Sequence, residues 1–161
     1  AEALDRQRND GKHVSLSFEE RMGLLVDHEW TQREQRKLDR RLKQAKLRHD
    51  AALEDVDYTP GRGLDRQVVL SLGSCSWIAE HQNVIVSGST GTGKSYLACA
   101  LAERACRKGY TAQYTRMPRL LQELMVARGD GSYSRLLTRL AKLDLLVIDD
   151  WLLSPLKTWH G

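Results

Sequence analysis

Hydrophobic and polar positions along the chain alternate between two periods, and the order of those periods predicts the architecture. Ser17-Phe-Glu-Glu20 reads as a capping box opening a helix, with Phe18, Met22, Leu25 and Trp30 following at roughly helical spacing. The helical pattern continues from Gln32 to His49 on a thin apolar stripe of Leu38, Leu42 and Ala45. From Ala51 to Gly63 it gives way to Glu54, Asp55 and Asp57 and then Tyr58-Thr-Pro-Gly-Arg-Gly63, which is turn chemistry and predicts a linker. Two short helices are expected next, Leu64 to Leu72 and Trp77 to His81, with Trp77 and Ile78 packed inward.

The second half alternates. Asn83-Val-Ile-Val-Ser87 is a short apolar run suited to a buried parallel strand. Tyr96 to Cys106 carries apolar side chains at i, i+3, i+4 and i+7, with Cys99 and Cys106 on the packed side, and Lys108-Gly109 supplies the stop. Tyr110 to Thr115 alternates as a strand does. Pro118 opens a helix over Arg119 to Ala127, Asp130-Gly131 is a turn, and Ser132 caps a helix from Tyr133 to Lys142. Asp144 to Asp150 is a last apolar strand running into two carboxylates. Strands and helices in alternation predict an α/β fold, a parallel sheet flanked by helices with its ligand at the strand carboxyl ends.

Chemistry enters between the first strand and its helix. Gly88-Ser-Thr-Gly-Thr-Gly-Lys94-Ser95 matches G-x-x-x-x-G-K-[ST], the phosphate-binding loop or Walker A motif. Gly88, Gly91 and Gly93 free the backbone to turn its N–H groups inward, so Gly88, Ser89, Thr90, Gly91, Thr92, Gly93, Lys94 and Ser95 form the expected nucleotide cradle. Lys94 supplies an ammonium for the β- and γ-phosphates, the Ser95 hydroxyl a ligand for Mg²⁺, and the following helix the partial positive charge of its N-terminus. Strand, glycines, Lys-Ser and helix in this order separate the motif from a glycine-rich surface turn.

The acidic strand end is its partner. Asp149 lies 55 residues after Lys94, with room for helix, strand and helices between, which is the setting of a Walker B strand. Asp149 is expected to hold Mg²⁺, and Asp150 to orient or deprotonate the attacking water; a strand-end cap is the bland alternative for Asp150. The D-x-x-G and N-K-x-D motifs of guanine-nucleotide proteins are missing, so the expected cofactors are ATP and Mg²⁺.

Composition changes the picture in one place. The 161 residues carry a net charge of +4, too little to identify a partner by itself. From Gln32 to His49, however, Arg33, Arg36, Lys37, Arg40, Arg41, Lys43, Lys46 and Arg48 face only Glu34 and Asp39. A solvated helical face is one reading. A phosphate-backbone contact surface is the other, and eight cations against two acids in eighteen residues exceed what solvation requires. The cations of the two later helices are a second candidate surface. Apolar runs stay short of the roughly 18 residues of a membrane span. The charged N-terminus does not read as a signal peptide, which points to the cytoplasm. Cys75, Cys99 and Cys106 have no C-x-x-C spacing and suggest neither a disulfide framework nor a zinc site.

From about Leu16 to Trp151 the chain resembles the IstB-like transposition helper ATPases, a branch of the AAA+ P-loop family. The likeness rests on Leu16-Ser-Phe-Glu-Glu-Arg21, Arg41-Leu-Lys-Gln-Ala45, Ala52-Leu-Glu-Asp55, Gly63-Leu-Asp-Arg66, Tyr96-Leu-Ala-Cys-Ala-Leu101, Tyr114-Thr-Arg116, Gly131-Ser-Tyr-Ser-Arg-Leu-Leu137 and Leu145-Leu-Val-Ile-Asp-Asp-Trp151. The helicase loader DnaC is similar in the core, whereas Leu16 to Asp57 favours the transposition branch.

The resemblance implies an ATPase of the AAA+ type that self-assembles on double-stranded DNA, acts on the target site and stimulates a partner transposase. It implies three parts: a basic helical region over 1–57, a linker over 58–63 and a partial AAA+ ATP-binding domain over 64–161. By position, Lys94 and Ser95 bind ATP and Mg²⁺, Asp149 holds the metal and Asp150 supports hydrolysis. Leu152 departs from the family, which has Gly there and continues into a sensor strand, an arginine finger and a helical lid. That departure predicts a truncated copy, incomplete at the C-terminus, frameshifted near Leu152, binding ATP poorly and hydrolysing it little. It also predicts a missing strand between the P-loop strand and the Walker B strand. Helicase loading and a DNA-binding remnant with a dead motor are the alternative functions.

Overall fold

The computed structural model describes residues 16–59 and 63–151. Residues 1–15, Pro60-Gly61-Arg62 and the stretch from Leu152 onward, all named above, lie outside the described residues. Two compact units are distinguished, Ala1–Arg40 and Arg41–Gly161.

The first unit consists, among the described residues, of the leading part of helix α1 (Phe18–Ala45). Its capping box forms as expected: the Ser17 amide donates to Glu20 Oε2 at 2.7 Å and the Glu20 amide to Ser17 Oγ at 3.2 Å. Phe18, Met22, Val26 and Trp30 are exposed. The helix is one continuous element, but it stops at Ala45 instead of running to His49. Ala45 is fully buried, and Lys46 takes a left-handed φ of 51°, uncommon for a non-glycine residue, which ends the helix.

The second unit is an α/β layer. After a 3₁₀ turn (Leu53–Asp55) come α2 (Arg66–Leu72) and α3 (Ser76–Ala79), close to the two short helices expected. Asp65 caps α2, accepting from the amides of Gln67 at 2.7 Å and Val68 at 3.4 Å. Helix α4 (Lys94–Arg107) is the spine of the unit. Its inward face is built largely of small residues, Cys99, Ala100, Ala102, Ala105 and Cys106, all without exposed surface, so the helix approaches the sheet closely. Its stop is the one read from sequence. Gly109, at φ 101°, lets its own amide reach Cys106 O at 3.1 Å and the Tyr110 amide reach Ala105 O at 3.0 Å, a Schellman closure.

Strand β1 (Ala112–Arg116) pairs in parallel with β2 (Leu145–Asp149), Ala112 opposite Leu145 and Arg116 opposite Asp149. Helices α5 (Met117–Gly129) and α6 (Tyr133–Ala141) form the crossover between them. Pro118 falls in the first turn of α5, as expected. Ser132 does sit at the N-cap of α6, but its side chain makes no cap hydrogen bond. Asp130 takes over the local turn, its carboxylate accepting from the Ser132 amide at 2.9 Å.

Two expectations change here. Ala51 and Leu53, inside the stretch read as a linker, are buried in the main core with Val69, Leu97 and Tyr114, and Val56 and Tyr58 pack against it. The acids Glu54 and Asp55 had disguised this apolar set at positions 51, 53 and 56. Second, Asn83–Ser87 forms no strand and has no place in the ladder; the sheet of the described residues is β1–β2 alone. The period-two alternation survives: Val84 packs near Trp77 and Ile78, Val86 near Leu97 and Tyr114, while Ile85 is 90 % exposed.

Candidate functional site

The carboxyl end of β2 and the N-terminus of α4 bring the chemistry together. The loop from Gly88 enters α4 through Gly93, at φ 86°, after Gly91 at φ 83°. Both angles lie in the left-handed region, which explains glycine at these two positions and turns successive amides toward one side. Lys94 lays its ammonium across the loop, donating to Gly88 O at 2.7 Å and Ser89 O at 2.6 Å. Thr92 Oγ1 adds a third tie, to Ser89 O at 2.8 Å.

Ser95, the first residue after that lysine, donates to Asp149 Oδ2 at 2.7 Å. Loop and strand end, 54 residues apart, are therefore joined through the two oxygens expected to share a metal. Hard oxygen donors, one hydroxyl and one carboxylate, suit Mg²⁺, which takes one or two protein ligands and completes its shell with phosphate oxygens and water. The residues present fit ATP with Mg²⁺: Ser95 and Asp149 would hold the ion, and Lys94 with the loop amides the phosphates.

Asp149 also accepts from Tyr114 Oη at 2.5 Å, and Arg48 Nη1 stands 3.8 Å from the same oxygen. Burial works to raise the Asp149 pKa. The hydrogen bonds from Ser95, Tyr114 and the Asp150 amide, with the Arg48 charge, outweigh it and hold the carboxyl below its usual range. The Tyr114 hydroxyl is pushed up to about 12, by burial first and then by its bond to Asp149. Asp149 is thus an anion with its contacts arranged for one.

Asp150 follows in a left-handed conformation, φ 56°, which ends the strand and turns its carboxylate aside to pair with the Arg116 guanidinium. Its amide returns to Asp149 Oδ1 at 2.8 Å. The second carboxylate is therefore separated from the first by backbone geometry, and the two oxygen pairs face different partners.

Of the eight basic residues read as a DNA surface, Arg33, Arg36, Lys37 and Arg40 recur at i, i+3, i+4 and i+7 on α1 and are exposed. Arg36 bonds Gln32 at 2.9 Å and Lys37 pairs with Glu34 at 2.7 Å. Arg41 is half-buried and Lys43 exposed on the last turns of the helix. Lys46 stands at the turn. Arg48, expected on the same helix, lies beyond its end at Ala45, and its Nη1 stands 3.8 Å from Asp149 Oδ2. The second candidate surface is a groove of about 1100 Å³ between α5 and α6, lined by Arg116, Arg119, Arg135 and Arg139 together with Glu123 and Asp130. Glu123 pairs there with Arg119 at 3.2 Å and Arg139 at 3.5 Å, so the groove is less cationic than its arginines suggest.

Sequence reasoning missed Arg48, Tyr114 and Arg116 as members of the site. For Tyr114 and Arg116 a signal existed, since alternate residues at the carboxyl end of a neighbouring parallel strand face the ligand crevice. For Arg48 there was none.

A family model described as "IstB-like ATP binding protein" matches residues 1–160. An ATP-binding protein of insertion sequence IS1162 from Pseudomonas fluorescens is 48 % identical over 158 residues, covering 98 % of this chain and 68 % of the relative. An insertion-sequence ATP-binding protein of Sinorhizobium fredii is 47 % identical over 97 % of this chain and 64 % of its own length. The ATP-binding protein of insertion sequence IS21 from Pseudomonas aeruginosa is 34 % identical, with 84 % of this chain and 51 % of that relative covered. The chain thus spans between about half and two thirds of the length of these relatives. Among the described residues, no helix is long and apolar enough to cross a membrane.

Proposed function

The chain belongs to the IstB-like ATP-binding protein family, and from that premise we propose that it is the nucleotide module of a helper ATPase for the transposition of an insertion sequence. In this reading Gly88 to Ser95 hold the phosphates of ATP, Lys94 balances their charge, and Ser95 with Asp149 hold Mg²⁺. Bound Mg²⁺ supplies charge neutralisation at the phosphoryl group. Asp150 accepts the proton of the attacking water once Arg116 yields it. The helix carrying Arg33, Arg36, Lys37 and Arg40 contacts the backbone of double-stranded DNA, and the assembled protein stimulates a partner transposase in the cytoplasm. The basic N-terminal region and the ATP-binding region act as separate parts of that machine.

The observation that supports this most is the 2.7 Å hydrogen bond from Ser95 to Asp149. It brings the loop's metal ligand onto the acidic strand end, which a glycine-rich turn of any other purpose does not need.

The test is equilibrium titration with a fluorescent ATP analogue, with and without Mg²⁺, on the chain and on its Lys94→Ala and Ser95→Ala variants. Lys94→Ala should weaken binding by about 10- to 100-fold, the value of one or two charge-assisted hydrogen bonds. Ser95→Ala should remove the Mg²⁺ dependence. Titration of duplex DNA with and without ATP then addresses the partner: affinity that rises with ATP supports the helper ATPase. Nucleotide binding untouched by Lys94→Ala would overturn the assignment of the loop.

A further inference from the structure

Arg48, like Arg116, is a cation of the site that no phosphate-loop motif contains, and its position is fixed from both sides. Ala45 is fully buried, Lys46 ends the helix at a left-handed φ of 51°, and Leu47 packs against the core. Downstream, Ala51 and Leu53 are buried in that same core. Between these anchors the His49 ring lies 6.3 Å from the ring of Tyr96, the residue after Ser95. The segment 47–50 is thereby laid alongside the start of α4, and Arg48 is delivered to the carboxyl end of β2 by packing, not by the reach of a loose side chain.

Its surroundings are anionic and hydroxylic. Arg48 Nη1 is 3.8 Å from Asp149 Oδ2, the oxygen that already accepts from Ser95 at 2.7 Å and Tyr114 at 2.5 Å. Yet the arginine side chain is 48 % exposed, so the guanidinium is not sealed into a structural ion pair. A fork of N–H donors stands half in solvent, next to the residue pair expected to meet the terminal phosphates. Guanidinium geometry suits phosphate oxygens, and a surface-type pair at 3.8 Å is weak enough to be exchanged for a stronger anion.

We propose that Arg48 is a nucleotide-specificity residue: it contacts the terminal phosphate of a bound nucleoside triphosphate and so favours triphosphate over diphosphate. The inference rests on the reading of Gly88 to Ser95 as the phosphate loop and adds a residue to it. Lys94 and the loop amides serve both nucleotides; Arg48, on the Asp149 side of Ser95, serves the one with a further phosphoryl group. Because Arg48 follows directly on the basic helix, triphosphate contact also ties the nucleotide to the last turn of α1.

The experiment is paired titration of fluorescent ATPγS and fluorescent ADP, each with Mg²⁺, against the full chain and its Arg48→Ala, Arg48→Lys and Lys94→Ala variants. Arg48→Ala should weaken ATPγS by about 10-fold or more and ADP by less than about 2-fold, as expected for loss of one charge-assisted contact. Arg48→Lys, which keeps the charge and loses the fork, should fall between. Circular dichroism and thermal midpoints identify a variant that fails to fold; if Arg48→Ala does, the Lys variant carries the comparison alone. Equal losses for both nucleotides, or no loss for either, overturn the proposal. If Lys94→Ala abolishes binding while Arg48→Ala matches the parent chain, only the role of Arg48 falls. If the parent chain binds neither nucleotide, the loop reading falls and this inference with it.

Discussion

Arg116 and Asp150 are paired across the ends of the two strands, the guanidinium of β1 engaging the second carboxylate of β2. The pairing follows from register. Arg116 lies opposite Asp149, and the left-handed turn at Asp150 swings the next carboxylate back toward it. The arginine is mostly exposed and the aspartate mostly covered, so the pair is only partly screened. A double-mutant cycle of Arg116→Ala and Asp150→Asn, read by urea unfolding, should give a coupling of about 0.5–1 kcal/mol. Strict additivity would show that the two groups do not support one another.

Local signals carried most of the site, and tertiary ones did not. The Gly88–Ser95 loop, the stop at Gly109 and the acidic end at Asp149 are legible because glycine angles and strand burial leave marks in neighbouring residues. The Ser17–Glu20 box is legible for the same reason. Arg48 reads as one more cation of a basic helix because nothing in the local sequence announces the helix end at Ala45; the buried Ala45 and the packing of Leu47 are tertiary facts. Ser132 stands at the N-cap position the sequence suggests, but composition does not reveal that its hydroxyl leaves the cap unmade while Asp130 holds the Ser132 amide. Residues 51 to 58 read as a spacer because their acids mask the buried Ala51 and Leu53.

A pH effect follows from Asp144, at the opposite end of β2. Its carboxylate accepts from the Thr111 amide and the Thr111 hydroxyl, each at 2.7 Å, and these bonds hold its pKa below the usual value against a smaller opposing effect of burial. A depressed carboxyl stabilises the fold at any pH above its unfolded pKa, about 3.9 for aspartate, and ceases to as pH falls through the folded value. The chain should therefore melt above Asp144→Asn by a constant margin from about pH 7 to pH 5, closing below about pH 4. Asp130 and Asp149 are also held low, but they titrate in both proteins and cancel. A margin that widens on acidification would refute the assignment.

The basic face of α1 makes a prediction about salt. If Arg33, Arg36, Lys37 and Arg40 each neutralise a phosphate of duplex DNA, replacing all four by glutamine should lower the slope of log K against log salt by about 3 to 4. Arg48→Gln should leave that slope where it was, since Arg48 faces Asp149. Binding measured from 50 to 200 mM salt separates the two cases. An Arg48 variant that shifts the slope as an α1 residue does would return it to the DNA surface.

Ile85 and Leu97 separate an apolar residue that is packed from one that is only strand-like. Leu97 is buried on the inward face of α4, and Leu97→Ala should cost about 2–5 kcal/mol through lost burial and the cavity left behind. Ile85 sits among apolar neighbours in sequence, yet its side chain is 90 % exposed, and Ile85→Ala should change stability by no more than about 0.5 kcal/mol. The same exposure has a second consequence. An apolar segment outside the ladder with an outward isoleucine invites association with another chain, and Ile85→Lys should reduce concentration-dependent association in sedimentation while leaving the thermal midpoint in place. Should Ile85→Ala instead cost more than about 1 kcal/mol, the segment is covered in solution, and the sheet extends beyond β1 and β2.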